Sequence, residues 1–329
     1  MSANSFPDPS SVRFDGPWTH RDVRANGIRF HVVEADGTDQ PDAPLVLLLH
    51  GFADFWWTWR HQLTGLADHG YRTVAVDLRG YGDSDKPPRG YDGWTLAGDI
   101  AGLIRALGHT EAILVGHAEG GLVCWATAVL HPRLVRSIAL IGSPHPAALK
   151  SAVLRDSAQR SAWLPEFLRD QLPRYPESRL TRNDGSEVER LFGARVSESW
   201  SRTTEFADAA GRMRAAIRIP GAAHSALEYQ RWAFRSQWRP DGKRFMATMR
   251  APIDPDIDVI SMRGSQDRYI LAKTYQRGSR LRMDRSLITI PDAGHYAHQE
   301  NPTKVNTVLL SRWREPNGAN ESRDGLVSP

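Results

Sequence analysis

The sequence predicts an α/β protein with a doubly wound, mostly parallel sheet and an inserted helical cap. Short apolar runs such as residues 45–49, typical of strands buried on both faces, alternate with segments of helical period. This alternation stops after Ser143 for about one hundred residues and then resumes at residues 257–262. The interrupting stretch has a helical pattern and lacks any comparably apolar strand. It is therefore predicted to be an insertion into the sheet.

The composition is typical of a globular protein with a large buried core. The chain has 329 residues and a formal net charge of +4. Because this charge is modest and no block of like charges occurs, we expect no nucleic-acid partner. Residues 147–250 contain 19 Lys and Arg against 12 Asp and Glu, which favours a solvated face over a lipid or nucleic-acid site. The single cysteine, Cys124, excludes an intramolecular disulfide and fits a reducing compartment.

The chain is expected to divide into a core, a cap and two tails. Residues 1–17 and 315–329 lack periodicity and are predicted to be flexible tails. Residues 18–146 and 246–314 are predicted to form the core, and residues 147–245 the helical cap. We find no secretory signal and no apolar run long enough to cross a bilayer, so a cytoplasmic location and no transmembrane segment are expected. The oligomeric state stays open.

The individual elements follow from local pattern and turn residues. Asn26 and Gly27 between the first two apolar runs predict a hairpin. The predicted strands are residues 18–23, 28–34, 45–49, 72–77, 113–115, 135–141, 257–262 and 286–290. The predicted helices outside the cap are residues 57–69, 96–107, 121–130, 271–280 and 302–313.

The turn after the strand that ends at Val115 has the form of a nucleophile elbow. Gly116 and Gly120 stand two residues before and two residues after an apex, where a bulkier residue would block the close backbone approach. The apex residue is Ala118, whose methyl group can neither attack an electrophile nor give up a proton. For this glycine pair alone, an ordinary turn before a core helix is the alternative.

Polar residues that a hydrolase needs follow two late strands. Asp267 and His295 come after the predicted strands 257–262 and 286–290, in the chain order nucleophile position, acid, histidine. Asp267 would orient the imidazole, and His295 would activate a water molecule. The backbone amides of Phe52 and Glu119 are expected to form an oxyanion hole. A merely structural His–Asp pair remains the alternative.

Four segments carry a resemblance to a known family. They are residues 50–60, 77–87, 115–121 and 294–302, and the similarity extends over nearly all of residues 18–314. Together they resemble the epoxide hydrolase and haloalkane dehalogenase branch of the α/β-hydrolases. The resemblance implies an α/β-hydrolase fold. Epoxide hydrolases of that branch use an aspartate at the elbow apex, form an alkyl-enzyme ester that a histidine-activated water cleaves, and hold the epoxide oxygen with two cap tyrosines.

The sequence departs from this family at its reactive positions. Ala118 stands where the family has aspartate. Gln230 occupies the place of one cap tyrosine, with Tyr229 one residue earlier, and the region of the other contains Glu166 and Asp170 but no tyrosine. Loss at three positions indicates natural divergence rather than a single engineered change.

The expected pocket also includes His50, Trp56, Trp57 and His117. The two tryptophans have a core role as their alternative, and packing is the favoured role of His117. No cofactor and no metal are expected. Two functions are left open. One is an epoxide hydrolase-like enzyme with weak or altered activity on a small apolar epoxide or ester-like substrate. The other is a non-catalytic protein that binds an apolar ligand in the capped pocket.

Overall fold

In the computed structural model, the strands of the described residues form one mixed sheet. The structure describes residues 6–35, 43–280 and 286–313. The strands are β1 Trp18–Ala25, β2 Ile28–Ala35, β3 Leu45–Leu49, β4 Arg72–Val76, β5 Ala112–His117, β6 Val135–Ile141, β7 Asp258–Gly264 and β8 Leu287–Ile290. They lie in the order β1-β2-β4-β3-β5-β6-β7-β8, antiparallel from β1 to β4 and parallel from β4 to β8. The predicted mostly parallel sheet is confirmed.

Burial explains the strand sequences. All residues of β3 and β5 are buried, because these central parallel strands are covered on both faces. In the edge strand β1, by contrast, only Val23 and Ala25 are buried. The β1–β2 turn has positive φ at Asn26 (45°) and Gly27 (81°), the conformation that an Asn-Gly hairpin requires.

The helices surround the sheet and also form the insertion. They are α1 Arg60–Ala67, α2 Gly93–Ala106, α3 Glu119–Leu130, α4 Pro146–Arg155, α5 Ser157–Arg169, α6 Tyr175–Thr181, α7 Ser186–Gly193, α8 Thr204–Ile217, α9 Ala222–Arg235, α10 Pro240–Thr248, α11 Ala272–Arg280, α12 Ala297–Glu300 and α13 Pro302–Trp313. The one-turn helix α12 was not predicted, because a single turn shows no period. None of the described helices has the length and apolar character needed to cross a membrane.

The chain between β6 and β7, which the structure describes throughout, contains helices and no strand. We call α4 to α10, residues 146–248, the helical insertion. Its helices bury their own apolar side chains, among them Phe192, Met213 and Leu227. The insertion therefore has internal packing in addition to its contacts with the sheet.

Part of the stretch that the sequence predicts to be a flexible tail is packed. Val12 is buried, and its carbonyl accepts a hydrogen bond of 2.8 Å from Nε1 of Trp56. Arg13 forms ion pairs with Asp22 and Asp83. The prediction is wrong for this segment because its single turn of 3₁₀ helix, Pro9–Val12, shows no period and its contacts are distant in sequence. Residues 315–329, the other predicted tail, lie outside the described residues.

Candidate active site

The elbow between β5 and α3 has the strained backbone that the glycine frame predicts. Ala118 has φ 47° and ψ −114°, a conformation that residues with a side chain rarely adopt. A Cβ at Gly116 would lie 2.5 Å from the backbone of Gly121, and one at Gly120 would lie 2.1 Å from the carbonyl oxygen of Leu49. Both frame positions therefore require glycine.

His295 and Asp267 form the predicted hydrogen-bonded pair. Nδ1 of His295 lies 2.9 Å from Oδ2 of Asp267, and both side chains are buried. Oδ1 of Asp267 accepts bonds from the amides of Tyr269 (2.8 Å) and Ile270 (2.9 Å), so the carboxylate is fixed. Nε2 of His295 has no hydrogen-bond partner among the described residues. The bonding therefore assigns the proton to Nδ1 and leaves the lone pair of Nε2 free.

The predicted oxyanion hole has a different arrangement from the one expected. The amide of Phe52 donates a 2.8 Å hydrogen bond to Oε2 of Glu119. The other carboxylate oxygen of Glu119 accepts a bond from the side-chain amide of Gln230. The amide of Phe52 is thus not free for a substrate oxygen. Glu119 was expected to contribute its backbone amide, and its carboxylate was expected to point less directly at the substrate; the structure instead places that carboxylate beside Gly51 and in the cavity lining.

A cavity of about 440 Å³ lies between the elbow and the helical insertion. Its wall is mainly apolar and includes Leu122, Leu149, Val153, Trp163, Phe245 and Met249.

Several residues that the sequence places at the site line this cavity. They are Ala118, Glu119, Tyr229, Gln230 and His295. Tyr269, which the sequence analysis missed, also lines it, with its ring centroid 5.0 Å from that of His295.

Trp56 and Trp57 do not line the cavity. Trp56 is fully buried, and the ring of Trp57 lies edge-on to the rings of Phe14 and Trp18, at centroid distances of 5.2 Å and 5.8 Å. Their predicted place at the pocket is wrong, and the alternative core role is correct. The physical reason is that the rings of Phe14 and Trp18 pack against both tryptophans.

Three further residues of the predicted pocket also lie outside it. His50 holds its own turn, because Nδ1 lies 2.9 Å from the carbonyl oxygen of Gly51 and Nε2 accepts the amide of Leu78 at 3.1 Å. Glu166 forms ion pairs with Arg179 and Arg169. His117, the last residue of β5, is buried and does not line the cavity.

Tyr229 lines the cavity, but its hydroxyl is already used. It donates a hydrogen bond of 2.9 Å to the carbonyl oxygen of Arg79. Burial also raises the pKa of Tyr229 well above its ordinary value. This tyrosine is therefore poorly suited to hold a substrate oxygen.

A buried polar cluster that the sequence analysis missed lies beneath the elbow. Asp54, His117 and His298 each present an oxygen or nitrogen atom within 4.8 Å of the others, close enough to hold a cation. Burial raises the pKa of Asp54 to about 7 and lowers the pKa of both histidines well below the ordinary value. Nε2 of His117 also lies 3.2 Å from the carbonyl oxygen of His295. The cluster is therefore in contact with the backbone of His295, the predicted base.

The chain is similar to known proteins over most of its length. Residues 44–302 match the family model described as alpha/beta hydrolase fold. The chain is 32% identical over 293 residues to AB hydrolase superfamily protein YfhM of Bacillus subtilis, covering 88% of this chain and 95% of that protein. It is 30% identical over 305 residues to Epoxide hydrolase 4 of Homo sapiens, covering 89% and 78%.

Among solved structures, epoxide hydrolase A from Mycobacterium thermoresistibile is similar to this chain. The TM-score is 0.75 at 25% sequence identity, and the match covers 90% of this chain and 98% of the other. The chain therefore belongs to the alpha/beta hydrolase fold family and is an epoxide hydrolase-like member of it.

Proposed function

We propose that this protein hydrolyses a small apolar epoxide or ester-like compound in the cavity beneath the helical insertion. The observation that carries this proposal is the state of His295. Its Nδ1 is bonded to a fixed carboxylate, whereas its Nε2 is unpartnered and the side chain lines the cavity. This is the arrangement of a general base that takes a proton from water. The apolar wall favours an apolar substrate.

The same site supports slow rather than fast hydrolysis. Ala118 supplies no nucleophile, and the hydroxyl of Tyr229 is bonded to the backbone. Gln230 offers only an amide N–H, which does not release a proton as a phenol does. Because general acid–base help contributes about 10² to 10⁴ in rate, loss of the two cap tyrosine donors that the resemblance implies lowers turnover substantially.

A binding protein without turnover is the second candidate. It is favoured by the engagement of the Phe52 amide with Glu119, which leaves this predicted oxyanion donor occupied. The cavity would then hold an apolar ligand without reacting with it. The two candidates make opposite predictions about product formation.

The experiment is an assay of the purified protein against a panel of epoxides, esters and haloalkanes, with product analysis by chromatography. The test variant is His295→Ala. The matched control is His69→Ala, at an exposed histidine after α1. Turnover in the protein and in the control, but not in His295→Ala, supports the proposal. Turnover that survives His295→Ala contradicts it, and ligand-induced thermal stabilisation without product favours the binding protein.

A further inference from the structure

We propose that Glu119, and not the residue at the elbow apex, is the carboxylate nucleophile of this site. The inference rests on the proposed hydrolase function and adds a covalent step to it. Two residues of the expected site, Glu119 and Gln230, are in contact here. The side chain of Gln230, at a tyrosine position, is bonded to the carboxylate of Glu119, which directly follows Ala118.

The carboxylate of Glu119 is held where a nucleophile can react. The Phe52 amide fixes Oε2 at 2.8 Å, and Gln230 bonds the other oxygen. A carboxylate has about four lone-pair sites, so these two donors leave lone pairs free. Both Glu119 and Gln230 line the cavity that His295 lines. A substrate in the cavity therefore has access to the carboxylate and to the proposed base.

The contact with the Phe52 amide has a specific meaning for a carboxylate nucleophile. When such a nucleophile has been alkylated, hydrolysis of the ester places a negative charge on its carbonyl oxygen. The donor that stabilises this charge must lie beside the nucleophile's own oxygen. The amide of Phe52 lies beside an oxygen of Glu119, and no contact of this kind is possible for the methyl group of Ala118.

The first step opens the epoxide. A lone pair of the Glu119 carboxylate forms a bond to one epoxide carbon, and the bond between that carbon and the epoxide oxygen breaks. The released alkoxide takes a proton from Tyr269, which lines the cavity beside His295. Burial raises the pKa of Tyr269 to about 12, so its phenol is protonated at neutral pH yet remains more acidic than an alcohol.

The second step releases the diol. His295 takes a proton from water at Nε2, the hydroxide adds to the ester carbonyl, and the Phe52 amide stabilises the oxyanion. The bond from the carbonyl carbon to the ester oxygen then breaks, and the leaving oxygen takes the proton from His295. Glu119, left as a carboxylic acid, returns its proton to the phenolate of Tyr269. One epoxide and one water give one diol, and every residue returns to its starting form.

Isotope labelling separates this covalent route from direct attack by water. Excess protein is mixed with styrene oxide in ¹⁸O-labelled water so that each molecule turns over at most once. Covalent catalysis puts unlabelled oxygen into the diol and ¹⁸O into the peptide that contains Glu119. A labelled diol from the first turnover overturns the inference but leaves the proposed hydrolase function standing. A stable adduct on Glu119 without any diol supports Glu119 as the nucleophile and contradicts the hydrolase function. If neither diol nor adduct forms, both the inference and the proposed function are contradicted.

Trapping provides the second measurement. In His295→Ala, ester hydrolysis should fail, so intact-protein mass spectrometry should show an increase equal to one epoxide, located on Glu119 by peptide mapping. Glu119→Gln combined with His295→Ala should form no adduct, and Glu119→Gln alone should lower diol formation at least about 100-fold. The matched control is Glu228→Gln, at a carboxylate on α9 that pairs with Arg231 and Arg235. An adduct at any other residue overturns the assignment.

Discussion

The side-chain amide of Gln230 donates a hydrogen bond to the carboxylate of Glu119. This bond joins α9 of the helical insertion directly to the first residue of α3. The same carboxylate accepts the amide of Phe52 at 2.8 Å. A carboxylate introduced at position 118 would therefore compete with the carboxylate of Glu119 for the amide of Phe52.

Restoring the apex nucleophile should require more than one substitution. We expect Ala118→Asp alone to open epoxides poorly, because two carboxylates would compete for the Phe52 amide. Adding Glu119→Gln should produce an adduct at position 118, and adding Gln230→Tyr should raise its rate of formation at least about tenfold by supplying a second phenolic donor beside Tyr269. Intact-protein mass spectrometry measures the rates. Equal rates of adduct formation in the single and the triple variant would show that the two carboxylates do not compete for the Phe52 amide.

The elbow glycine should be intolerant of even one added methyl group. Gly120→Ala places a Cβ 2.1 Å from the carbonyl oxygen of Leu49, whereas Gly211→Ala, in α8, adds a Cβ with nothing within 4 Å. We expect Gly120→Ala to lower the free energy of unfolding by about 1–3 kcal/mol or more. Gly211→Ala should raise it by up to about 1 kcal/mol. Denaturant titration measures both, and equal effects would contradict the steric argument.

Asp170 should make stability depend on pH. Burial, with a contribution from Glu166, raises the pKa of Asp170 from 3.8 to about 7. The native state therefore binds more protons than the unfolded state between these two values, and stability should fall as pH rises through this window. Each unit by which the pKa is raised corresponds to about 1.4 kcal/mol.

The variant Asp170→Asn tests this linkage. It should remove the contribution of Asp170, so its free energy of unfolding should exceed that of the unchanged protein increasingly from pH 4 to pH 7. Asp54, whose pKa is raised in the same direction, is present in both proteins and cancels in the difference. A difference that stays constant with pH would show that Asp170 is ionised in the native state.

The helical insertion should open more readily than the central sheet. It follows β6 and precedes β7, so the strands on either side can pair without it. We propose that it acts as a separable cap and expect faster amide exchange in α4 and α5 than in β5. Hydrogen exchange with mass spectrometry measures this. Equal protection of the two regions would exclude a mobile cap.

The sequence predicts the sheet better than it predicts the site. The bounds of β3, β6 and α13 are as predicted, because each is a clear periodic or apolar run with a marked start and end. The His295–Asp267 pair was predictable because parallel strands bring their C-terminal ends to one edge.

The contact between the Glu119 carboxylate and the Phe52 amide was not predictable, because it depends on the direction of one side chain. The packing of Trp57 under Phe14 was also hidden, since the two are distant in sequence.

The packed N-terminal segment also holds one helix of the helical insertion in place. The guanidinium of Arg212, on α8, lies 4.0 Å from the ring centroid of Phe14 and 4.1 Å from that of Trp57. This sandwich tethers α8 to the body of the protein on one side. On another side, Leu154 and Trp238 line the cavity although they are 66% and 61% exposed. We therefore expect substrates to enter the cavity between α4 and the end of α9, while α8, which does not line the cavity, stays fixed to the body of the protein.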